Sequence, residues 1–359
     1  MTEPDAAQLM QYRMEAEKIT AVEDTLGASA QLPAVTRDSI EISVMANIEF
    51  PGEIDLALAK GATGIGLYRT EFLYLSSESE PTEEDHLQAY LEAIRRVEGR
   101  PLTIRSLDLG ADKFQPDSFT DHHEPNPFLG CRSIRLCLQN LPLFKTQLRA
   151  LMRASAEGPI NIMFPLISNV MELRQAKMIL YDVMEDLEDQ GVPYCRDIPI
   201  GTMIEVPSAA LQANILAKEV DFFSIGTNDL IQYTVAADRS NERIANLYSA
   251  AHPAVLGLIK DVIRAAGRSK IDVSLCGEMA GEPEFAMILI GLGLRSLSVA
   301  PPAIPQVKKL IRSVSIDHCK RVARKVTSFD SDREVLNYIR VEVAKIIPDV
   351  LDGRTIGLG

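Results

Sequence analysis

Eight short apolar runs, each followed by helical material, limit what this chain can fold into more than any other feature. They are Ile42–Ile48, Gly64–Phe72, Leu102–Leu107, Ile160–Ile167, Ile200–Val206, Phe222–Ile225, Ile271–Cys276 and Leu297–Ala300. Runs of this length read as strands, and the periodic segments between them read as helices. The clearest helical pattern, Thr82–Gly99, opens with Thr82-x-x-Asp85, a capping-box start. Others are Ile134–Ala154, Val170–Gln190, Ser208–Val220, Ala254–Lys270 and Glu284–Leu292. Eight such β-then-α units predict an α/β fold, a (β/α)8 TIM barrel, in preference to an open doubly wound sheet.

Outside the repeat, residues 5–26 form an amphipathic helical pattern stopped by Gly27, and 28–41 a connector. Residues 1–41 are therefore expected to be a linker, and 42–359 the barrel. Ser331–Ile347, with Val335, Leu336, Ile339, Val343 and Ile346 on one face, is expected to be a closing helix.

Composition narrows the function. Hydrophobic residues make up 46% and charged residues 24%, ample for a globular core. The formal net charge of −13 argues against nucleic acid and anionic membrane as partners. It does not exclude a small anion. A guanidinium about 4 Å from a phosphate contributes roughly 4 kcal/mol at an effective dielectric near 20, whereas charges beyond about 8 Å are screened. No apolar run is long enough to span a bilayer and no signal-peptide core stands at the start, so a cytoplasmic location is expected. The five cysteines lack metal-ligand or disulfide spacing.

In a barrel, chemistry gathers at the C-terminal ends of the strands. Here those ends are polar: Asn47, then Arg69 and Glu71, then Arg105 and Asp108, then Glu205, then Asn228 and Asp229, then Cys276 and Glu278. The fourth and eighth ends, at Pro165 and Pro301, are plain. Glu205 and Asp229 end neighbouring strands, a disposition that suits an octahedral Mg²⁺ holding a phosphorylated substrate. As plainer alternatives, both are helix caps, and Arg69 and Arg105 pair internally with Glu71 and Asp108. Against those alternatives, both arginines fall at the height of the carboxylates, where planar guanidinium groups can grip a phosphate. Arg239 is a further cation. Cys276 reads either as a small core hydrophobe or as a thiol acid ending its strand before Gly277-Glu278. Lys113 and Arg132, in and after the long loop that follows the third strand, read equally well as surface cations.

GLYRTEFLY, RSLDLGADK, NPFLGCRSIR, MIEVPSAA, FFSIGTNDL and LCGEMAG occur in that order. In these segments the chain resembles the phosphoenolpyruvate-binding half of Enzyme I, the first protein of the bacterial sugar phosphotransferase system. Pyruvate phosphate dikinase and phosphoenolpyruvate synthase share a similar barrel and form the catalytic alternative; a non-catalytic sensing or dimerisation module is the other. The resemblance implies that Arg69, Arg105, Asn228, Asp229 and Arg239 bind phosphoenolpyruvate, that Glu205 and Asp229 ligate Mg²⁺, and that Cys276 protonates the enolate to give pyruvate. It also implies a homodimer, and a phosphoryl acceptor histidine on an N-terminal domain that passes the group to a histidine-containing carrier protein. None of His86, His122, His123, His252 and His318 stands in that domain's sequence context. The chain is accordingly expected to be the C-terminal half alone.

Overall fold

The computed structural model describes residues 30–75, 79–110 and 126–348. The helix expected over 5–26, together with Lys113, His122 and His123, lies outside them. Strands β1 (Ser43–Ile48), β2 (Ile65–Tyr68), β3 (Leu102–Arg105), β4 (Asn161–Phe164), β5 (Ile200–Ile204), β6 (Phe222–Ile225), β7 (Asp272–Leu275) and β8 (Ser296–Val299) follow in sequence order. All pair in parallel, and β8 closes on β1 through Ser43–Ser296 to Ala46–Val299, so the expected closed barrel is the fold observed. β2, β3 and β5 are buried along their whole length, as parallel strands covered on both faces must be.

Most strands are shorter than the apolar runs that announced them. The run ends leave the ladder and turn into the barrel mouth: Arg69 follows β2, and Ser106–Asp108 follow β3. The surrounding helices are α1 (Glu53–Ala59), α2 (Phe72–Leu75), α3 (Glu83–Val97), α4 (Ile134–Gln139), α5 (Leu141–Ala154), α6 (Val170–Asp189) and α7 (Pro207–Leu211). They continue with α8 (Ala213–Leu216), α9 (Thr227–Val235), α10 (Pro253–Ser269), α11 (Pro283–Leu292), α12 (Ile304–Ser313), α13 (Ile316–Val326) and α14 (Asp332–Ala344).

Thr82 caps α3 as its sequence foretold. Its hydroxyl accepts from Asp85 N at 3.2 Å, and the Asp85 carboxylate accepts from Thr82 N at 2.8 Å. The pattern Ile134–Ala154 is two helices rather than one. Pro142 supplies no N–H to continue the first, and Asn140 caps the second. Val335, Ile339 and Val343 of α14 are fully buried, as a closing helix requires. On the entry side, buried Lys308 donates to the carbonyls of Ala30 and Gly61, tying the chain's approach to α12. Inside the barrel a small cluster of Leu67, Met163, Met203 and Cys276 forms the layer beneath the mouth.

Candidate functional site

The mouth encloses a cavity of about 410 Å³, and Arg69, Arg105, Glu205, Asn228, Asp229, Arg239 and Cys276 all line it. The barrel brings them together from β2, β3, β5, β7 and the segment around α9, because each stands at or just beyond a strand end.

A chain of ion pairs crosses the cavity wall. Arg105 reaches Asp108 at 2.8 Å and Glu71 at 3.1 Å, and Arg132 reaches Asp108 and Asp229, each at 3.1 Å. Burial pushes the Asp108 carboxyl up, but Arg105 and Arg132 overturn it and hold the pKa at about 2. The internal pairing of Arg105 with Asp108, one of the plainer alternatives, is therefore real. It leaves the arginine at the cavity rather than removing it. The other pairing is not seen: Arg69 bonds Glu49 at 2.9 Å, because Glu71 turns towards Arg105 and the Asp108 N–H.

Glu205 differs from these carboxylates. It is 3% exposed and accepts the Leu166 N–H at 2.6 Å, with no lysine or arginine in ion-pair range among the described residues. Burial first, then the charges of Asp229 and Asp108, push its pKa up to about 8, against the pull of Arg105 and Arg132. Gly226 makes room for it: a Cβ there would stand 2.8 Å from a Glu205 oxygen. Six carboxylates and four guanidinium groups line the cavity, so it is formally negative before any anion enters. Among the described residues no cluster of three or more His, Cys, Asp or Glu is arranged to hold a metal. Two carboxylates are nevertheless the usual protein share for Mg²⁺, with water and substrate phosphate completing the shell. The crowded pair Glu205 and Asp229 fits that ion.

Cys276 is 2% exposed at the cavity floor, and burial raises its thiol pKa. Its carbonyl accepts from Asn47 Nδ2 at 2.9 Å, which fixes the β7 end against β1. The Asn228 amide is engaged reciprocally with Glu278, donating to its carboxylate at 2.8 Å and accepting its N–H at 3.0 Å. Arg239 is exposed at the rim and makes no ion pair among the described residues. His86, near the start of α3, is fully buried, because it faces inward between Tyr74 and Tyr90. Neither His86, His252 nor His318 lines the cavity.

A family model described as "PEP-utilising enzyme, PEP-binding domain" matches residues 23–316. The chain belongs to this family. It is 44% identical over 337 residues to the phosphoenolpyruvate-protein phosphotransferase of Geobacillus stearothermophilus, covering 94% of this chain and 58% of that one. The proteins of that name from Priestia megaterium and Haemophilus influenzae are 46% and 42% identical over 306 and 341 residues. Those matches cover 85% and 94% of this chain, and 53% and 59% of theirs. The chain thus spans less than two thirds of the length of these relatives. Among solved structures, a Haloferax volcanii malate synthase ternary complex with pyruvate and acetyl-CoA aligns with TM-score 0.50 at 13% identity. The alignment covers 75% of this chain and 69% of that one, and the likeness is one of fold.

Two features of this PEP-binding domain escape a survey of strand ends. Arg132 reaches the cavity because Gly110 forms a bridge with it, so tightly that a Cβ on Gly110 would lie 1.9 Å from Arg132 Cβ. Its setting after a Gly-Pro-rich loop was the available signal. Leu166, near the apparently plain end of β4, presents its N–H to Glu205 from a left-handed backbone, φ 53°. That conformation strains a leucine by about 1–2 kcal/mol, and nothing in the sequence announces it.

Proposed function

We propose that this domain binds phosphoenolpyruvate at the barrel mouth and starts a phosphoenolpyruvate–protein phosphotransferase reaction, passing the phosphoryl group to a histidine and leaving pyruvate. The observation that carries this reading is the convergence of four arginines, the Glu205–Asp229 pair and the Cys276 thiol on one cavity in a PEP-binding family. Arg69, Arg105, Arg132 and Arg239 hold phosphate and carboxylate, with Asn228 assisting from the rim. Glu205 and Asp229 would hold Mg²⁺, and the bound ion would supply charge neutralisation to the phosphate and the developing enolate.

As the imidazole nitrogen bonds to phosphorus, the bridging P–O bond breaks and its electron pair stays on the enolate oxygen. Cys276 gives its proton to C3 as the enolate collapses to the ketone, and the thiolate recovers a proton from water. Burial keeps the thiol protonated until that moment. The acceptor histidine belongs to an N-terminal phosphohistidine domain, which then serves a histidine-containing carrier protein in the cytoplasm. That His86, His252 and His318 do not line the cavity supports an acceptor other than these three. The domain works as a homodimer, which light scattering would test against the 39.5 kDa of one chain.

Calorimetric titration with phosphoenolpyruvate, with and without Mg²⁺, tests the reading. Saturable, Mg²⁺-enhanced binding that is lost in Arg105→Met is expected. No binding in the presence of Mg²⁺ would overturn it.

A further inference from the structure

Behind the cavity wall, away from the ligand side, lies a line of buried polar side chains. Gln147, on α5, is fully buried, yet its amide makes three hydrogen bonds. Nε2 donates to Thr70 Oγ1 and to the Tyr90 hydroxyl, each at 3.1 Å, and Oε1 accepts the Leu107 N–H at 2.9 Å. The Thr70 hydroxyl in turn donates a hydrogen bond to the Arg105 carbonyl at 3.1 Å. Further out, Tyr90 shares a bond with His86 Nδ1 at 3.1 Å, and Tyr74 shares one with His86 Nε2 at 3.2 Å.

The places where this line touches backbone matter. The last β2–β3 pair is Tyr68 with Ile104, and the last β3–β4 pair is Arg105 with Met163. Beyond them the ladder supplies no partner for the Arg105 carbonyl or the Leu107 N–H, and buried backbone groups need one. Thr70 and Gln147 fill both roles. Thr70 stands between Arg69 and Glu71, and Leu107 directly precedes Asp108. One side-chain amide therefore joins the two strand ends that present Arg69, Glu71, Arg105 and Asp108. Its orientation is dictated as well: oxygen must meet the N–H, and nitrogen must meet two hydroxyl oxygens.

We infer that Gln147 is a positioning residue for the anion site. It locks the 105–108 turn, so that Arg105 and the Asp108 that bridges it to Arg132 stand ready for the phosphate without reorganisation. The inference rests on reading the cavity as a phosphoenolpyruvate site. A residue that only glued the core would affect stability alone, whereas a positioning residue affects ligand affinity and the local opening of the turn.

The test compares Gln147→Met, which keeps volume but loses the three bonds, with Tyr74→Phe, which cuts the same line at its far end. Leu107 amide exchange by NMR and phosphoenolpyruvate affinity with Mg²⁺ are read on the same chains. Gln147→Met should speed Leu107 exchange by roughly a hundredfold and weaken affinity by roughly tenfold, the scale of a buried N–H left unpaired. Tyr74→Phe should move neither. Equal exchange and affinity in the two variants overturns the inference. If Gln147→Met does not fold, Thr70→Val takes its place: weakened affinity restored by Thr70→Ser sustains the inference, and unchanged affinity overturns it. Failure of the wild-type chain to bind phosphoenolpyruvate counts against the proposed function instead, and Leu107 exchange then decides the role of Gln147 alone.

Discussion

Arg132 Nη1 lies 3.1 Å from Asp229 Oδ2, and this contact ties the segment after the β3 loop to the carboxylate at the start of α9. The same guanidinium holds Asp108 at 3.1 Å, so one side chain bridges two carboxylates of the cavity wall. Arg132→Met should weaken phosphoenolpyruvate binding at least tenfold, the scale of a charge-assisted contact. It should also destabilise the fold by about 3 kcal/mol, because Asp108 keeps Arg105 as a partner while Asp229 loses the ion pair it makes with Arg132. Calorimetry and urea melts separate the two effects. Unchanged affinity would leave Arg132 a structural bridge.

The metal assignment is tested by Glu205→Gln and Asp229→Asn, each of which removes one hard charged ligand. Mg²⁺-dependent binding of oxalate, a mimic of the pyruvate enolate, should collapse in both while the barrel stays folded. Glu205→Gln should be tolerated, since a neutral amide avoids the burial penalty and then the repulsion by Asp229 and Asp108 that together push the carboxyl up to about 8. Oxalate binding at wild-type strength in both variants removes Mg²⁺ from these residues.

For Cys276, the readout is exchange of pyruvate methyl protons with deuterium. Cys276→Ala should abolish Mg²⁺-dependent exchange yet keep phosphoenolpyruvate affinity within several-fold of normal, since the proposed reaction has the thiol meet C3 and not the phosphate. Exchange at the wild-type rate would return Cys276 to the packed layer it shares with Leu67, Met163 and Met203.

His86 predicts a pH signature. Burial holds its imidazole neutral, with the pKa lowered from 6.5 to about 4. Below pH 6.5 the unfolded chain binds a proton that the folded chain refuses, so stability present above that pH is lost as pH falls towards 4. At 1.36 kcal/mol per unit the loss is about 3 kcal/mol. Urea melts of wild type and His86→Gln should show their stability difference shrinking by about that amount between pH 7 and pH 4. A difference independent of pH contradicts the buried neutral state.

The acceptor is tested with ³²P-labelled phosphoenolpyruvate and Mg²⁺. The chain alone should acquire no stable label, because positioning an acceptor in line supplies most of the rate and no described histidine lines the cavity. Adding a separately expressed phosphohistidine domain should restore some transfer, weakened by the lost tether. Acid-labile, base-stable label on this chain alone would reveal a histidine acceptor within it.

The sequence by itself determined the barrel and most of its mouth. Strand runs and helical periods are local patterns, and a parallel barrel sends every strand's C-terminal end to one rim, so Arg69, Arg105, Glu205, Asp229 and Cys276 could be named from position alone. Thr82 and Asp85 were legible for the same reason: a cap closes within three residues. What only the tertiary structure decided is who meets whom across the chain. Arg69 chose Glu49 over Glu71, Leu166 turned left-handed to reach Glu205, and Gln147 met Thr70 and Leu107. The Arg69–Glu49 pair is partly exposed and follows from Glu71 turning to Arg105, whereas the other two pairings depend on which groups closure leaves buried without a partner. That is a property of the folded packing and not of any stretch of sequence, because desolvation penalises only the groups the fold encloses.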